Sequence, residues 1–201
     1  MNASRRSALA VIAWLAAWPL CAADMPQLGG RALGDALRHG GYVLYLRHAS
    51  TDFGQNDDAM TSFDDCTQQR NLTEAGRAEA RAIGAGIARA KIPVGSVLAS
   101  PYCRTRETAQ LVFGRATVAH AVRGGPASAE AHRYDELRAL LATAPPAGTN
   151  LAIVSHGNPF RAVVDGPYLA EGEAAVVQPL GAQGFRVVAR VKPDGWSALG
   201  P

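Results

Sequence analysis

Three short stretches of this 201-residue chain run from apolar residues into a polar cluster: YLRHAST at 45–51, LASPYCRTRETA at 98–109 and AIVSHGNPF at 152–160. Between them they offer Arg47, His48, Arg104 and His156. Guanidinium groups are planar, permanently charged donor forks that match phosphate oxygens. Two imidazoles can divide the roles of nucleophile and charge stabiliser. If the fold brings these four side chains together, the chemistry open to them is attack at phosphorus inside a cradle of fixed positive charge. The arginines would also favour the neutral imidazole that a nucleophile must be. Taken singly, each has an ordinary reading: a histidine at a strand end is a common polar residue, and one arginine near a helix start caps or solvates it. His39, His120 and His132 lack such company and read as structural. With two histidines in the set and no third ligand at metal-like spacing, a zinc site is not expected.

The elements that must position these residues are legible in the pattern. Apolar runs at 42–46, 96–99, 117–122 and 151–154 read as strands. Between the first two, Leu72, Gly76, Ala80, Ile83 and Ile87 form a helical stripe over 72–90, with Glu74, Arg77 and Arg81 off it and Thr73 placed to cap its start. Further helices are expected at 104–113 and 134–142, and a terminal hairpin from 174–177 and 185–191 around the glycines at 181–184. This alternation predicts a three-layer α/β sandwich with a mostly parallel central sheet flanked by helices. In such sheets ligands bind at the carboxyl ends of the strands, where each of the three stretches turns polar. The segments 53–65 and 124–131 read as surface loops.

Set in chain order, the three stretches resemble the histidine phosphatase superfamily, the phosphoglycerate mutase-like or histidine acid phosphatase clan, in its branch 1 form. Arg47-His48-Ala49 is similar to the hallmark Arg-His followed by a small residue after the first strand. Ser100-Pro101-Tyr102-Cys103-Arg104-Thr105-Arg106-Glu107-Thr108-Ala109 is similar to Ser-Pro-x-x-Arg-x-x-x-Thr-Ala, and His156-Gly157 to the late His-Gly. NLTEAGRAEA, at 71–80, is similar to the Leu-Thr-x-x-Gly-x-x-Gln-Ala stretch that usually follows the first motif. The likeness spans residues 42–160. It implies a phosphoglycerate mutase-like fold and a metal-independent phosphomonoester hydrolase without cofactor. It makes His48 the nucleophile that accepts the phosphoryl group, with Arg47, Arg104 and His156 holding the equatorial oxygens. The alternatives are a phosphate-ester binding module that has lost turnover, and a phosphotransferase or mutase.

The pattern departs from the resemblance at the group that protonates the leaving oxygen. Many relatives place a glutamate between the second arginine and the late histidine, where this chain has Glu130, Asp135 and Glu136 without a recognisable acid motif. Other relatives have an aspartate directly after the late histidine, where Gly157 stands. Glu171 and Glu173 crowd the start of a strand beyond His156, and Glu173 is the first choice for the acid, with Asp52 a further option. Thr51 and Arg70 are expected to contribute to substrate binding from the rim loop.

The first residues read differently from the rest. Arg5 and Arg6 precede an uncharged run from Ala8 to Leu20 that ends in Cys21-Ala22-Ala23, the pattern of a secretory signal peptide over 1–23 with one domain over 24–201. Ser4-Arg5-Arg6 with Leu9 leaves twin-arginine export open beside the general route, and Leu20 before Cys21 disfavours lipidation. An exported, periplasmic protein without a stable membrane anchor is expected. Cleavage would remove two arginines and no acid, leaving 18 basic against 17 acidic residues, which gives no footprint for a nucleic-acid partner. The expected partner is a small-molecule phosphate ester. The two cysteines left, Cys66 and Cys103, would be a disulfide candidate in an oxidising compartment, with two separate buried thiols as the alternative.

Overall fold

The structure is a computed structural model and describes residues 27–125, 132–164 and 166–201. In chain order its elements are α1 (Gly30–His39), β1 (Val43–Arg47), α2 (Glu74–Arg89), β2 (Val94–Ala99), α3 (Cys103–Phe113), β3 (Thr117–Val118), α4 (Asp135–Ala142), β4 (Asn150–Ser155), α5 (Gly157–Val163), β5 (Ala174–Pro179) and β6 (Phe185–Val191). They form one six-stranded sheet in the order β3-β2-β4-β1-β5-β6. The first four are mutually parallel, and β5 and β6 run antiparallel at the far edge.

Alternation within each strand divides the core into two layers. In β1, Leu44 and Leu46 join the cluster built with α1, α2, α3 and Trp196. Val43 and Tyr45 join the cluster built with α4 and Phe160 of α5. Both faces of the central strands are therefore covered, which is why they read as continuous apolar runs. The molecule is the expected three-layer α/β sandwich with a mostly parallel sheet. The stripe Leu72, Gly76, Ala80, Ile83, Ile87 is buried along its length, and the Thr73 hydroxyl accepts from the Gly76 N–H at 2.9 Å.

Three details differ from the sequence reading. The expected strand at 117–122 pairs only at Thr117 and Val118, after which the chain bends into a 3-10 turn at His120–Val122. It is an edge strand with one neighbour, so little holds it extended, and the bend carries Val122 into the core. Helices α1 and α5 had no counterpart in the pattern; α5 spans only seven residues, too few to show a period. The expected signal segment at 1–23, and Glu130 in the loop at 124–131, lie outside the described residues.

Candidate active site

Register brings the chemistry to one edge. Arg47 of β1 lies beside Ser155 of β4, and Ala99 of β2 beside Val154 of β4, so the three strands end level. The next residues, His48, Ser100 and His156, therefore leave the sheet together. The turn after His48 is tied to α3 by the Ala49 N–H, which donates to the Thr108 hydroxyl at 3.1 Å, while that hydroxyl donates to the Arg104 carbonyl at 2.7 Å. Tyr45, on the same strand as Arg47, donates its hydroxyl to the His156 carbonyl at 2.9 Å. Gly124 is required by close approach: a Cβ there would lie 2.6 Å from His156 Cδ2.

Arg47, His48, Arg70, Arg104 and His156 line one cavity of about 450 Å³, with Asp57, Asp58, Tyr102 and Tyr168 among its other walls. His48 is almost wholly buried, and its Nδ1 lies 2.9 Å from the Ala49 carbonyl. A carbonyl only accepts, so Nδ1 carries the proton and the lone pair is on Nε2. Burial pushes the His48 pKa down to about 3; the Ala49 contact opposes this, and the charges of Arg104, Arg47 and Arg70 add to it. The ring is neutral across the physiological range. His156 is held well below the ordinary histidine value by burial, then by His48 and Arg104, and its Nε2 lies 2.8 Å from the Ser100 hydroxyl. The two rings meet edge to face with centroids 5.4 Å apart.

The arginines are held from behind. Arg47 donates from Nη1 to the Leu169 carbonyl at 2.8 Å, and from Nη2 to Glu171 Oε1 at 3.4 Å. Burial lowers its pKa and the Glu171 charge offsets part of that. Arg70 stacks over the Phe53 ring at 4.7 Å. Arg104 grips Asp57 with both ends of its fork, Nη1 to Oδ1 at 2.9 Å and Nη2 to Oδ2 at 3.0 Å. The Nε–H groups of all three arginines are buried and have no hydrogen-bond partner among the described residues. Buried donors left unpaired are costly, and guanidinium forks as a class pair well with oxyanions.

The remaining sequence-predicted residues are placed as follows. Glu173 is not among the cavity's lining residues, and its carboxylate is held by Arg190, at 2.8 Å to both Nε and Nη2, and by the Ala170 N–H at 2.7 Å. Burial raises its pKa, but Arg190 outweighs that and holds the carboxyl below its usual range. Thr51 donates both its hydroxyl and its N–H to Glu171, at 2.7 and 3.0 Å, and is not among the cavity's lining residues. Glu171 is a counter-ion for the rim, since its Oε1 also lies 3.9 Å from His48 Nδ1 and 4.0 Å from Arg70 Nη2. Asp52 accepts from the Gly54 N–H in its own turn. Asp135 and Glu136 are exposed at the start of α4. A Cβ at Gly157 would lie 2.6 Å from the Tyr168 ring, so a side chain after the late histidine requires that exposed ring to shift.

Cys66 and Cys103 form a disulfide with Cα atoms 5.7 Å apart, joining the rim loop to the first turn of α3 directly beside Arg104. Gln69 reinforces the link, accepting from the Cys103 N–H at 2.9 Å. Asp57 and Asp58 were not singled out from the sequence. The available signal was position: they lie in the loop that directly follows the His48 stretch, at the same sheet edge. Among the described residues no group of three or more His, Cys, Asp or Glu side chains could hold a metal ion, and no helix is long and apolar enough to cross a membrane.

Residues 43–125 match the family model described as histidine phosphatase superfamily, branch 1. This segment, under half of the 201 residues, is what the chain shares with that family model. The fold is also similar to solved structures. SixA from Agrobacterium tumefaciens aligns at 20% identity and a TM-score of 0.53, covering 76% of this chain and 99% of that one. A tungstate complex of the protein histidine phosphatase SixA aligns at 19% and 0.54, covering 76% and 97%. SixA from Nakamurella multipartitia aligns at 19% and 0.51, covering 76% and 96%. At these identities the likeness is one of fold. A comparison with curated proteins finds no match.

Proposed function

We propose that this chain is a member of the histidine phosphatase superfamily and an exported hydrolase of phosphate monoesters, working through a phosphohistidine intermediate on His48. One observation carries the reading: the neutral His48 ring has its proton committed on Nδ1 and its lone pair on Nε2, within a cavity walled by Arg47, Arg70 and Arg104. Nε2 attacks phosphorus, the P–O bond to the leaving group breaks, and an alcohol departs. Water then attacks the phosphohistidine, the P–N bond breaks, and phosphate leaves. Guanidinium groups fixed before substrate arrives stabilise the charge that spreads over the equatorial oxygens in both steps. Arg47, Arg104 and His156 fill that role in this reading. The substrate class is a small or envelope-derived phosphate ester, and export rests on the pattern of residues 1–23.

One preparation tests both parts. Protein recovered from the extracytoplasmic fraction should begin near Asp24 and release phosphate from 4-nitrophenyl phosphate, and rapid quenching should trap an acid-labile phosphate on the peptide bearing His48. His48→Ala should lose turnover and label together. Turnover that survives in His48→Ala overturns the nucleophile assignment, and full-length protein confined to the cytoplasm overturns export.

A further inference from the structure

Asp57 occupies the donor fork of Arg104. Its two carboxylate oxygens take both ends of the Arg104 fork, and Oδ1 also accepts from the Arg70 N–H at 2.9 Å. A carboxylate and a phosphoryl group compete for such a fork, because the planar donor pair fits either. Depth orders the cavity. The His48 side chain at its floor is 2% exposed and Arg104 is 6% exposed, whereas Asp57 is 30% exposed. In-line displacement places the leaving group opposite the attacking nitrogen, so the leaving oxygen points away from His48 toward the side from which Asp57 enters. Of the other acids, Glu171 is held by Thr51 and Arg47, Glu173 by Arg190 and Asp52 by its own turn, while Asp58 is an exposed part of the cavity wall and Asp57 is the acid that sits on the Arg104 fork.

We propose that Asp57 is the general acid and base of this site, displaced from Arg104 by the incoming phosphoryl group and left beside the leaving oxygen. The inference rests on the hydrolase reading above and names the proton donor which that reading requires. Displacement raises the proton affinity of the Asp57 carboxylate, which then takes a proton from solvent. While it is gripped by Arg104, Asp57 is an ion-paired carboxylate: burial raises its pKa, but the Arg104 and Arg70 hydrogen bonds outweigh that and lower it. Once a phosphate dianion takes the fork, Asp57 has lost its cation and gained an anionic neighbour, and both changes favour the protonated acid. In the first step the Asp57 proton goes to the leaving oxygen as the P–O bond breaks and the P–N bond forms. In the second, the Asp57 carboxylate takes a proton from the water that attacks the phosphohistidine. Phosphate is released and the acid is restored.

The test compares the full chain with Asp57→Asn on an ester with a good leaving group, 4-nitrophenyl phosphate, and one with a poor leaving group, glycerol phosphate. General acid catalysis contributes about 10²-fold or more where the leaving group needs a proton. Asp57→Asn should lose about that much kcat on glycerol phosphate and only a few-fold on the aryl ester. It should also bind inorganic phosphate at least as tightly as the unaltered protein, since the competing carboxylate is gone. In the unaltered protein, kcat on glycerol phosphate should fall on the alkaline side of the pH profile while the aryl ester shows no matching fall; this measurement needs no variant. Equal loss on both esters, a gain on both, or an alkyl-ester profile without that fall overturns the role of Asp57. Absence of a phosphohistidine in the unaltered protein would instead overturn the hydrolase reading itself.

Discussion

At the scale of single residues, partners decide which acid can act. Glu173 stands two residues from Glu171, yet the two carboxylates face different cations: Arg190 of β6 for the first, and the rim set of Arg47, Thr51 and Arg70 for the second. With a side chain 10% exposed and two charge-assisted bonds to Arg190, Glu173 fastens β6 to the segment that enters β5. Charge-assisted hydrogen bonds contribute about 1.5–3 kcal/mol each when partly buried. Glu173→Gln should therefore lower stability by about 1–3 kcal/mol in chemical denaturation and leave the ratio of turnover on alkyl and aryl phosphates unchanged. A selective loss on the alkyl ester would return Glu173 to the catalytic role that its sequence position suggested.

At the scale of elements, the site is three strand ends, one helix start and one loop. The strand ends and α3 are rigid because both faces of the sheet are packed. The loop at 52–65 lies outside those two core layers and is tied down by the adjacent Cys66–Cys103 disulfide, the bonds around Gln69, the Asp57–Arg104 pair and the Phe63 ring against Tyr102. These restraints bear on Asp57, Arg70 and Arg104 at once. Replacing both cysteines with serine removes a link between positions 37 apart in sequence, which typically costs about 2–4 kcal/mol. The double variant should show that loss in urea unfolding, together with a higher KM for phosphate esters as Arg70 and Arg104 lose their fixed spacing. An unchanged KM would show that the strand ends position the arginines without help from the loop.

At the scale of the whole molecule, the buried imidazoles link folding to pH. His48 has a folded pKa of about 3 and His156 is also lowered, both first by burial, whereas an unfolded histidine titrates near about 6.5. Below that value the unfolded chain binds protons that the folded one refuses, so stability falls as pH drops through this window. For His48 the fall continues to about pH 3. The slope approaches about 1.4 kcal/mol per pH unit for each such histidine. Denaturation of the unaltered protein between pH 7 and 4.5 should show this loss, and His48→Ala should show a shallower slope. Equal slopes would mean that His48 is protonated in the folded protein, and the neutral nucleophile would fall with it.

The local code of this chain was enough to place Arg47, His48, Arg104 and His156 at strand ends and helix starts, because strand and helix periods depend on near neighbours and the apolar runs are short and cleanly bounded. It was enough for the layered α/β class, since alternation of such elements has few packed solutions. The helical stripe of α2 and its Thr73 cap were readable for the same reason. Tertiary structure alone decided the partners of the acids. Glu173 and Arg190 meet across an antiparallel pair, Glu171 reaches Thr51 from 120 residues away, and Asp57 meets Arg104 from 47 away. No local period encodes a contact between a loop and a distant helix start. It is set by how the loop is tied down and by which cations the packed sheet leaves unpaired.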